Sequence, residues 1–351
     1  MTAETPTSEH ALPGAPPATP AAAARRRRSP LSVLGLAVSV VSLAGVVWWA
    51  SRQSAPQLPH TGREVLATIG AVLLYGLASL VRAERWQRLM EDEGALPRRA
   101  DTYALTAVGY MGNNVLPARA GDAIRVMLMA PRARRGEAGG EGRMPETGAR
   151  TVVGTLLAER ILDVAVLVVL FVVVGWGLLG TVGGRSVELI AALAAAAVLV
   201  AVAGWRFVQR NERLHGFLAP IASATLGLRR AHHGFRLLAI TLLIWTIEAA
   251  TWMSVGAAVG FGMDPIEGAY LVALASVFSM IPSGPAYAGT QDTAVVLGIK
   301  ALGGTGSTAV AYLVMLRFVI VVPITLVGVV LMVVRYGGLR RLRGARAAAR
   351  G

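Results

Sequence analysis

Gly109-Tyr-Met-Gly-Asn113-Asn114-Val-Leu-Pro117-Ala-Arg119-Ala-Gly121-Asp122-Ala-Ile-Arg125 is a polar stretch, broken by glycine and proline and set between strongly apolar segments. A second stretch echoes it: Pro282-Ser-Gly-Pro285-Ala-Tyr-Ala-Gly289-Thr-Gln-Asp292. The two share the frame Pro-Ala-x-Ala-Gly, at Pro117 to Gly121 and Pro285 to Gly289, and a carboxylate follows each. In a water-soluble protein these would be two loops. The composition says otherwise: 54% of the 351 residues are hydrophobic and 15% charged, against roughly 25% charged in a soluble domain. Several apolar runs exceed about 18 residues, the length of a membrane-spanning helix. The fold class is an all-α polytopic membrane protein. We expect about six full transmembrane helices plus two re-entrant or short helical hairpins, arranged as inverted repeats.

The net charge of +14 could suggest nucleic acid. The arginines, however, cluster at the ends of apolar runs, as the positive-inside rule predicts for cytoplasmic loops, so no nucleic-acid partner is expected. Lys300 is the only lysine in a chain rich in Ala, Arg and Gly, a composition that points to a GC-rich bacterial genome. Without cysteine there is no disulfide, thiolate metal site or cysteine nucleophile.

Residues 1–30 read as a disordered tail ending in the basic run Arg25 to Arg28, and residues 31–335 as the integral membrane domain. Residues 336–351 form a second basic tail. Residues 31–50 read as a first span and not a signal peptide, because the run is long enough to cross and Val46-Val-Trp-Trp-Ala50 is a poor cleavage site; the basic run before it puts its start inside. A second runs over 64–80 and returns the chain to the cytoplasm, where Arg82, Arg85 and Arg88 follow and Trp86 reads as an interfacial anchor. Segments 103–111 and 123–129 are each too short to span and flank the opening stretch. Further spans are expected over 151–180, 187–208, 237–260 and 308–334. The short pieces 269–281 and 293–302 flank the second polar stretch. Counting arginines puts both termini in the cytoplasm and makes the two hairpins enter from opposite faces, the geometry of inverted repeats around a midplane site.

Ionisable residues inside spans cost roughly 2.5–3.5 kcal/mol each, so each needs a reason. The candidates for substrate binding are Asn113, Asn114, Arg119, Asp122, Arg125, Glu159, Arg160, Asp163, Glu248, Asp292 and Arg317, with Pro117, Gly121, Pro282, Pro285 and Gly289 shaping the hairpins. In Glu159-Arg160-Ile-Leu-Asp163 the spacing of three and four places the charges on one helix face. The bland alternative is that these acids and bases neutralise one another and fix the packing, Arg160 with Asp163 and Arg317 with Glu248. The functional alternative is that guanidinium groups grip a phosphate in bidentate fashion, aided by backbone N–H groups at the helix starts after Pro117 and Pro285.

The order of Asn113-Asn-Val-Leu-Pro117-Ala-Arg119-Ala-Gly121-Asp122, Glu159-Arg160-Ile-Leu-Asp163, Pro282-Ser-Gly-Pro285-Ala-Tyr-Ala-Gly289-Thr-Gln-Asp292 and Leu316-Arg317 with Pro323 and Gly328 resembles one family. It is similar to the lysylphosphatidylglycerol synthase transmembrane-region family, also called flippase-like domain proteins, and Arg85-Trp86 resembles that family's Arg-Trp after the second helix. The resemblance covers most of residues 31–335. It implies a multi-pass plasma-membrane protein that moves or handles anionic or lipid-linked substrates. The soluble lysine-transferring domain of full-length synthases is not expected here, so synthase activity does not carry over. Asp122 and Asp292 stand where the family usually has Glu, and Ala286 where Gly is common after the second proline.

The leading reading is an integral membrane flippase-like protein that translocates or binds a phospholipid or lipid-linked substrate. Arg119, Arg160 and Arg317 would meet the phosphate, and Asp122, Glu159, Asp163 and Asp292 a cationic group or protons. The chain has no Walker A motif, so direct ATP drive and a nucleotide cofactor are not expected. A membrane-embedded enzyme of lipid-linked glycan or aminoacyl-lipid metabolism is the first alternative. Against it, no histidine lies in the polar stretches, and neither catalytic residues nor metal ligands stand out. The second alternative is an accessory partner of a membrane glycosyltransferase; a homo-oligomer is compatible with all three.

Overall fold

Thr61 opens the first long helix with a capping box: its hydroxyl accepts from the Glu64 N–H at 3.3 Å, while the Glu64 carboxylate accepts from the Thr61 N–H at 3.1 Å. The structure is a computed structural model that describes residues 40–41, 43–116, 120–133, 145–178, 231–279 and 284–337. Helix α1 covers Gly62–Asp92, α2 Arg99–Val115, α3 Ala120–Met129, α4 Pro145–Leu178, α5 Ala231–Ala258, α6 Pro265–Ser279, α7 Thr290–Ala301 and α8 Gly306–Tyr336. Among the described residues no strand occurs. Residues 43–50 are helical, within the first expected span. The expected span over 187–208 lies outside the described residues, as do Pro117, Arg119 and Pro282.

Three described helices are long and apolar enough to cross a membrane: α1, the His233–Ala258 part of α5, and α8. Their outer faces explain why. On α1, Leu66, Ile69, Leu73, Leu77 and Leu80 are exposed at spacings of three and four, one stripe of a helix. On α8, Phe318, Val322, Leu326, Val330 and Val333 repeat the pattern. Exposed apolar stripes of this length would drive aggregation in water, whereas lipid is their natural solvent.

At 31 residues α1 is about 46 Å long, well beyond the ~30 Å hydrocarbon core. It does not end near residue 80, as the arginines suggested, but runs on to Asp92. Arg82 and Arg85 need no cytoplasmic water because each has a carboxylate partner inside the protein. Trp86 is likewise no interfacial anchor. It is fully buried, and its indole N–H donates to Thr155 Oγ1 at 3.1 Å.

The two polar stretches do form helical hairpins. The pairs α2–α3 and α6–α7 are built from helices of 17, 10, 15 and 12 residues. In the first hairpin the helices touch backbone to backbone. A Cβ added at Gly112 would lie 2.6 Å from the Gly121 Cα, and one added at Gly121 would strike the Gly109 carbonyl oxygen. Asn113 Oδ1 accepts from the Gly121 N–H at 3.0 Å and so caps α3 from across the hairpin. The second hairpin turns through Pro285–Tyr287, with Ala286 at φ 51° and Tyr287 at φ 56°, and Gly289 at φ 88°. The Gly289 N–H is taken by its own helix's Asp292, Oδ2 at 2.9 Å. Helix α8 clamps α2 at two levels, through Arg335 Nε to Asp101 Oδ1 and Asn114 Nδ2 to Thr325 Oγ1, each 3.0 Å.

Each hairpin carries its own apolar core. One gathers Trp86, Leu105, Val108, Ile124, Met129 and Val152 around α2–α3. The other gathers Leu271, Val295, Ile299, Tyr312 and Leu316 around α6–α7.

Two substitutions test this packing in the purified protein. Gly121→Ala is expected to destabilise by about 1–3 kcal/mol, the cost of overpacking a close contact. Gly70→Ala, where an added Cβ meets nothing within 4 Å, should leave the melting temperature unchanged or raised. At Ala286 the left-handed backbone costs about 1–2 kcal/mol, against about 0.5–1 kcal/mol of extra chain entropy for glycine. Ala286→Gly should therefore raise the melting temperature; a lower value would contradict the left-handed turn.

Candidate functional site

Glu159, Arg160 and Asp163 project from one side of α4, and each finds partners on other helices. Asp163 accepts from Arg85 Nη1 of α1 at 2.7 Å and lies 3.8 Å from Arg160. Arg160 Nη2 reaches Asp122 of α3 at 3.4 Å. Asp122 lies 3.8 Å from Arg125, one turn further along α3. Arg125 Nη1 is 3.2 Å from Glu159, and Glu159 is 3.9 Å from Arg85 Nη2. The chain of contacts closes on itself: Arg85, Asp163, Arg160, Asp122, Arg125 and Glu159 form a ring of alternating charge. Three helices contribute to it, and its formal charges cancel.

The ring is supported from behind. Thr241 of α5 accepts a further bond from Arg85 Nη1 at 3.0 Å. The Arg125 guanidinium sits over the Trp86 ring, 3.9 Å from its centroid. The aliphatic part of Arg125 fills the space left open by Gly109, where an added Cβ would lie 2.5 Å from Arg125 Cδ. Two separate pairs lie outside the ring. Arg82 bonds Glu248 of α5. Arg317 of α8 bonds Asp292 and the Ala286 carbonyl, tying α8 to both sides of the strained turn.

A cavity of about 410 Å³ lies against this assembly. One wall carries Arg82, Arg85, Arg125, Glu159, Arg160, Asp163 and Glu248. Tyr110, Asn113 and Asn114 enter from the first hairpin, and Ala286, Tyr287 and Gln291 from the second. Tyr75, Trp245, Trp252 and Ile320 give it an apolar side. A volume of this size lies within the range that holds small ligands. Among the described residues no group of His, Asp and Glu is arranged to hold a metal ion.

Of the residues singled out in the sequence, Asn113, Asn114, Arg125, Glu159, Arg160, Asp163 and Glu248 line the cavity. Asp122, Asp292 and Arg317 do not, but support residues that do. Arg119 lies outside the described residues. Glu248 pairs with Arg82 and not with Arg317, whose partner is Asp292. The N–H groups of Gly121 and Gly289, at the helix starts expected to cradle a phosphate, are already taken by Asn113 and Asp292.

Arg82, Arg85, Tyr75 and Tyr110 were missed. A signal for the first three exists: Ala71, Tyr75, Ala78, Arg82, Arg85 and Leu89 repeat at steps of four and three. That stripe lies opposite the leucine stripe of α1 and carries the inward face past the point where the charge rule places water.

The family model described as lysylphosphatidylglycerol synthase TM region matches residues 32–328. No curated protein matches the chain.

Removing one member of the ring takes one of two opposite charges from each neighbour, and breaking a buried pair costs about 3–5 kcal/mol. Arg85→Met, which strips partners from both Asp163 and Glu159, is expected to lose that much. Adding Asp163→Asn should recover part of it. A chemical unfolding series on the single and double variants in detergent checks both, and strictly additive losses would refute the ring.

Proposed function

Because the chain belongs to the lysylphosphatidylglycerol synthase TM-region family, we propose that it binds the head group of a phospholipid or lipid-linked substrate in the charged cavity and carries it across the plasma membrane. The family and the apolar helices make it a membrane protein of lipid metabolism; translocation is our reading. The observation that carries it is the pairing of a charge-lined cavity with helices whose outer faces are apolar. A lipid has the same division. Its head group needs ionic and hydrogen-bonding partners, while its chains stay in hydrocarbon.

The two hairpins support the reading from another side. Each places a carboxylate in the first turn after its break, Asp122 in α3 and Asp292 in α7, and each carboxylate meets an arginine of a long helix, Arg160 in α4 and Arg317 in α8. This parallel is what an inverted repeat would produce, with the substrate held between its halves. In that arrangement both termini face the cytoplasm of a bacterial cell and the hairpins enter from opposite sides, so that movement of one hairpin exposes the site to one face.

Reconstitution into liposomes with head-group-labelled lipids tests the proposal. Wild-type protein should speed equilibration of labelled phosphatidylglycerol between leaflets, and Arg160→Gln should reduce the rate about tenfold or more, through loss of a charge-assisted contact. Equal rates in wild-type and protein-free liposomes, for every head group tried, would defeat it.

A further inference from the structure

We propose that Arg160 takes the phosphate of a phosphodiester head group by giving up Asp122, so that binding loosens the first hairpin from α4 while the second stays fixed. This rests on the lipid-binding reading above and adds to it the contact that is exchanged and the element that moves.

The two hairpin locks look alike in outline and differ in detail. Asp292 is sealed, with its side chain 5% exposed. Its Oδ1 accepts from two guanidinium nitrogens of Arg317, and its Oδ2 holds the Gly289 N–H. Arg317 spends its remaining reach on the Ala286 carbonyl. An incoming anion would have to break all of these contacts at once. Among the described residues Asp122 is held by long contacts only, 3.4 Å to Arg160 and 3.8 Å to Arg125, and its side chain is 27% exposed.

The arginines of the ring also differ. Arg85 and Arg125 have side chains only 2% and 6% exposed, whereas Arg160 is 42% exposed and lines the cavity. An anion entering the cavity therefore meets Arg160 first. The bond it replaces is a weak one, and the acid left behind still has Arg125 beside it. A phosphate oxygen offers Arg160 the same charge as the carboxylate with better bidentate geometry. Arg82, the other accessible arginine of the wall, is committed to Glu248.

Charge balance sets the class of ligand. Five arginines in and around the cavity (Arg82, Arg85, Arg125, Arg160, Arg317) face five carboxylates (Asp122, Glu159, Asp163, Glu248, Asp292). With these charges already matched, the exchange suits a head group with at most one net negative charge. A diphosphate brings further charge, and each described arginine that lines the cavity already has a carboxylate.

The mechanical consequence follows from what holds α3. Asn113 ties the start of α3 to α2, and the glycine contacts lock the two helices together. Losing the Asp122–Arg160 contact removes one of the two ion pairs that join α3 to α4, leaving Arg125–Glu159, and does not touch the contacts with α2. The first hairpin, still clamped to α8 through Asp101 and Asn114, can then shift where α3 meets α4, and the second, pinned by Arg317, remains a wall.

Equilibrium binding to detergent-purified protein tests this with three probes: labelled phosphatidylglycerol, soluble glycerophosphate and a polyprenyl diphosphate. Asp122→Asn, which makes the competing group neutral, should bind phosphatidylglycerol about five- to tenfold tighter than wild type, and Arg160→Gln at least tenfold weaker. The polyprenyl diphosphate should bind more weakly than phosphatidylglycerol. Since the chain has no cysteine, spin labels can be attached cleanly at Ala123→Cys with Leu157→Cys, and at Leu297→Cys with Leu326→Cys. Lipid should change the first distance and not the second, and Asp122→Asn should change the first without lipid. Unaltered or weaker binding by folded Asp122→Asn, or movement of the second pair in place of the first, overturns the exchange. If glycerophosphate follows the variant pattern but the lipid does not bind, the exchange at Arg160 stands and the lipid reading falls. If neither binds, both fall.

Discussion

Every other feature of this protein depends on buried arginines keeping their carboxylates. Ten charges at about 3 kcal/mol each would cost about 30 kcal/mol if inserted alone, more than the ~5–15 kcal/mol that holds a typical domain together. They are tolerated because none is alone. The closed ring through Arg85, Asp163, Arg160, Asp122, Arg125 and Glu159 gives each charge two neighbours of opposite sign. That requirement fixes the relative positions of α1, α3 and α4 in a way apolar contacts could not, since lipid is as apolar as leucine and offers no hydrophobic drive between helices.

Close backbone packing and the ring need each other. Arg125 can reach Glu159 and lie over Trp86 because Gly109 leaves room for its aliphatic stem. Asp122 stands opposite Arg160 because Gly112 and Gly121 bring the arms of the first hairpin into contact and Asn113 caps the returning helix. A larger side chain at Gly121 would shift the two charged groups that follow it on α3. The hairpin is thus less a loop dipped into the membrane than a rigid mount for Asp122 and Arg125.

Much of this was legible in the sequence, and the failures share one cause. Glycine and proline within apolar surroundings marked both hairpins, and helix periodicity grouped Glu159, Arg160 and Asp163. These are local signals, and local signals sufficed for them. The end of α1 was misread because the positive-inside rule assigns arginines to the cytoplasm, whereas Arg82 and Arg85 meet partners 166 and 78 residues away. The same blindness paired Arg317 with Glu248, when the true partner, Asp292, lies 25 residues back across a turn. Sequence spacing shows which charges share a face, but not which face they meet. The N–H groups at the hairpin tips were likewise assigned to a ligand because a nearby Asn and Asp can cap them only once the chain has turned back.

A charge-balanced cavity also bears on how a carrier can work at all. A site with surplus positive charge would hold an anionic head group tightly in a low-dielectric interior and release it slowly, since the attraction that aids entry must be overcome on exit. Carriers, like channels, need a site favourable enough to enter and weak enough to leave. Recognition by exchange meets both demands. The head group gains Arg160 only as Asp122 lets go, so the net gain is the difference between two ionic contacts and not the whole of one. In the proposed cycle, release needs Asp122 to reclaim Arg160 against only that small difference. The carboxylate is then part of the release step, and a shorter Asp at this position sets how firmly it competes.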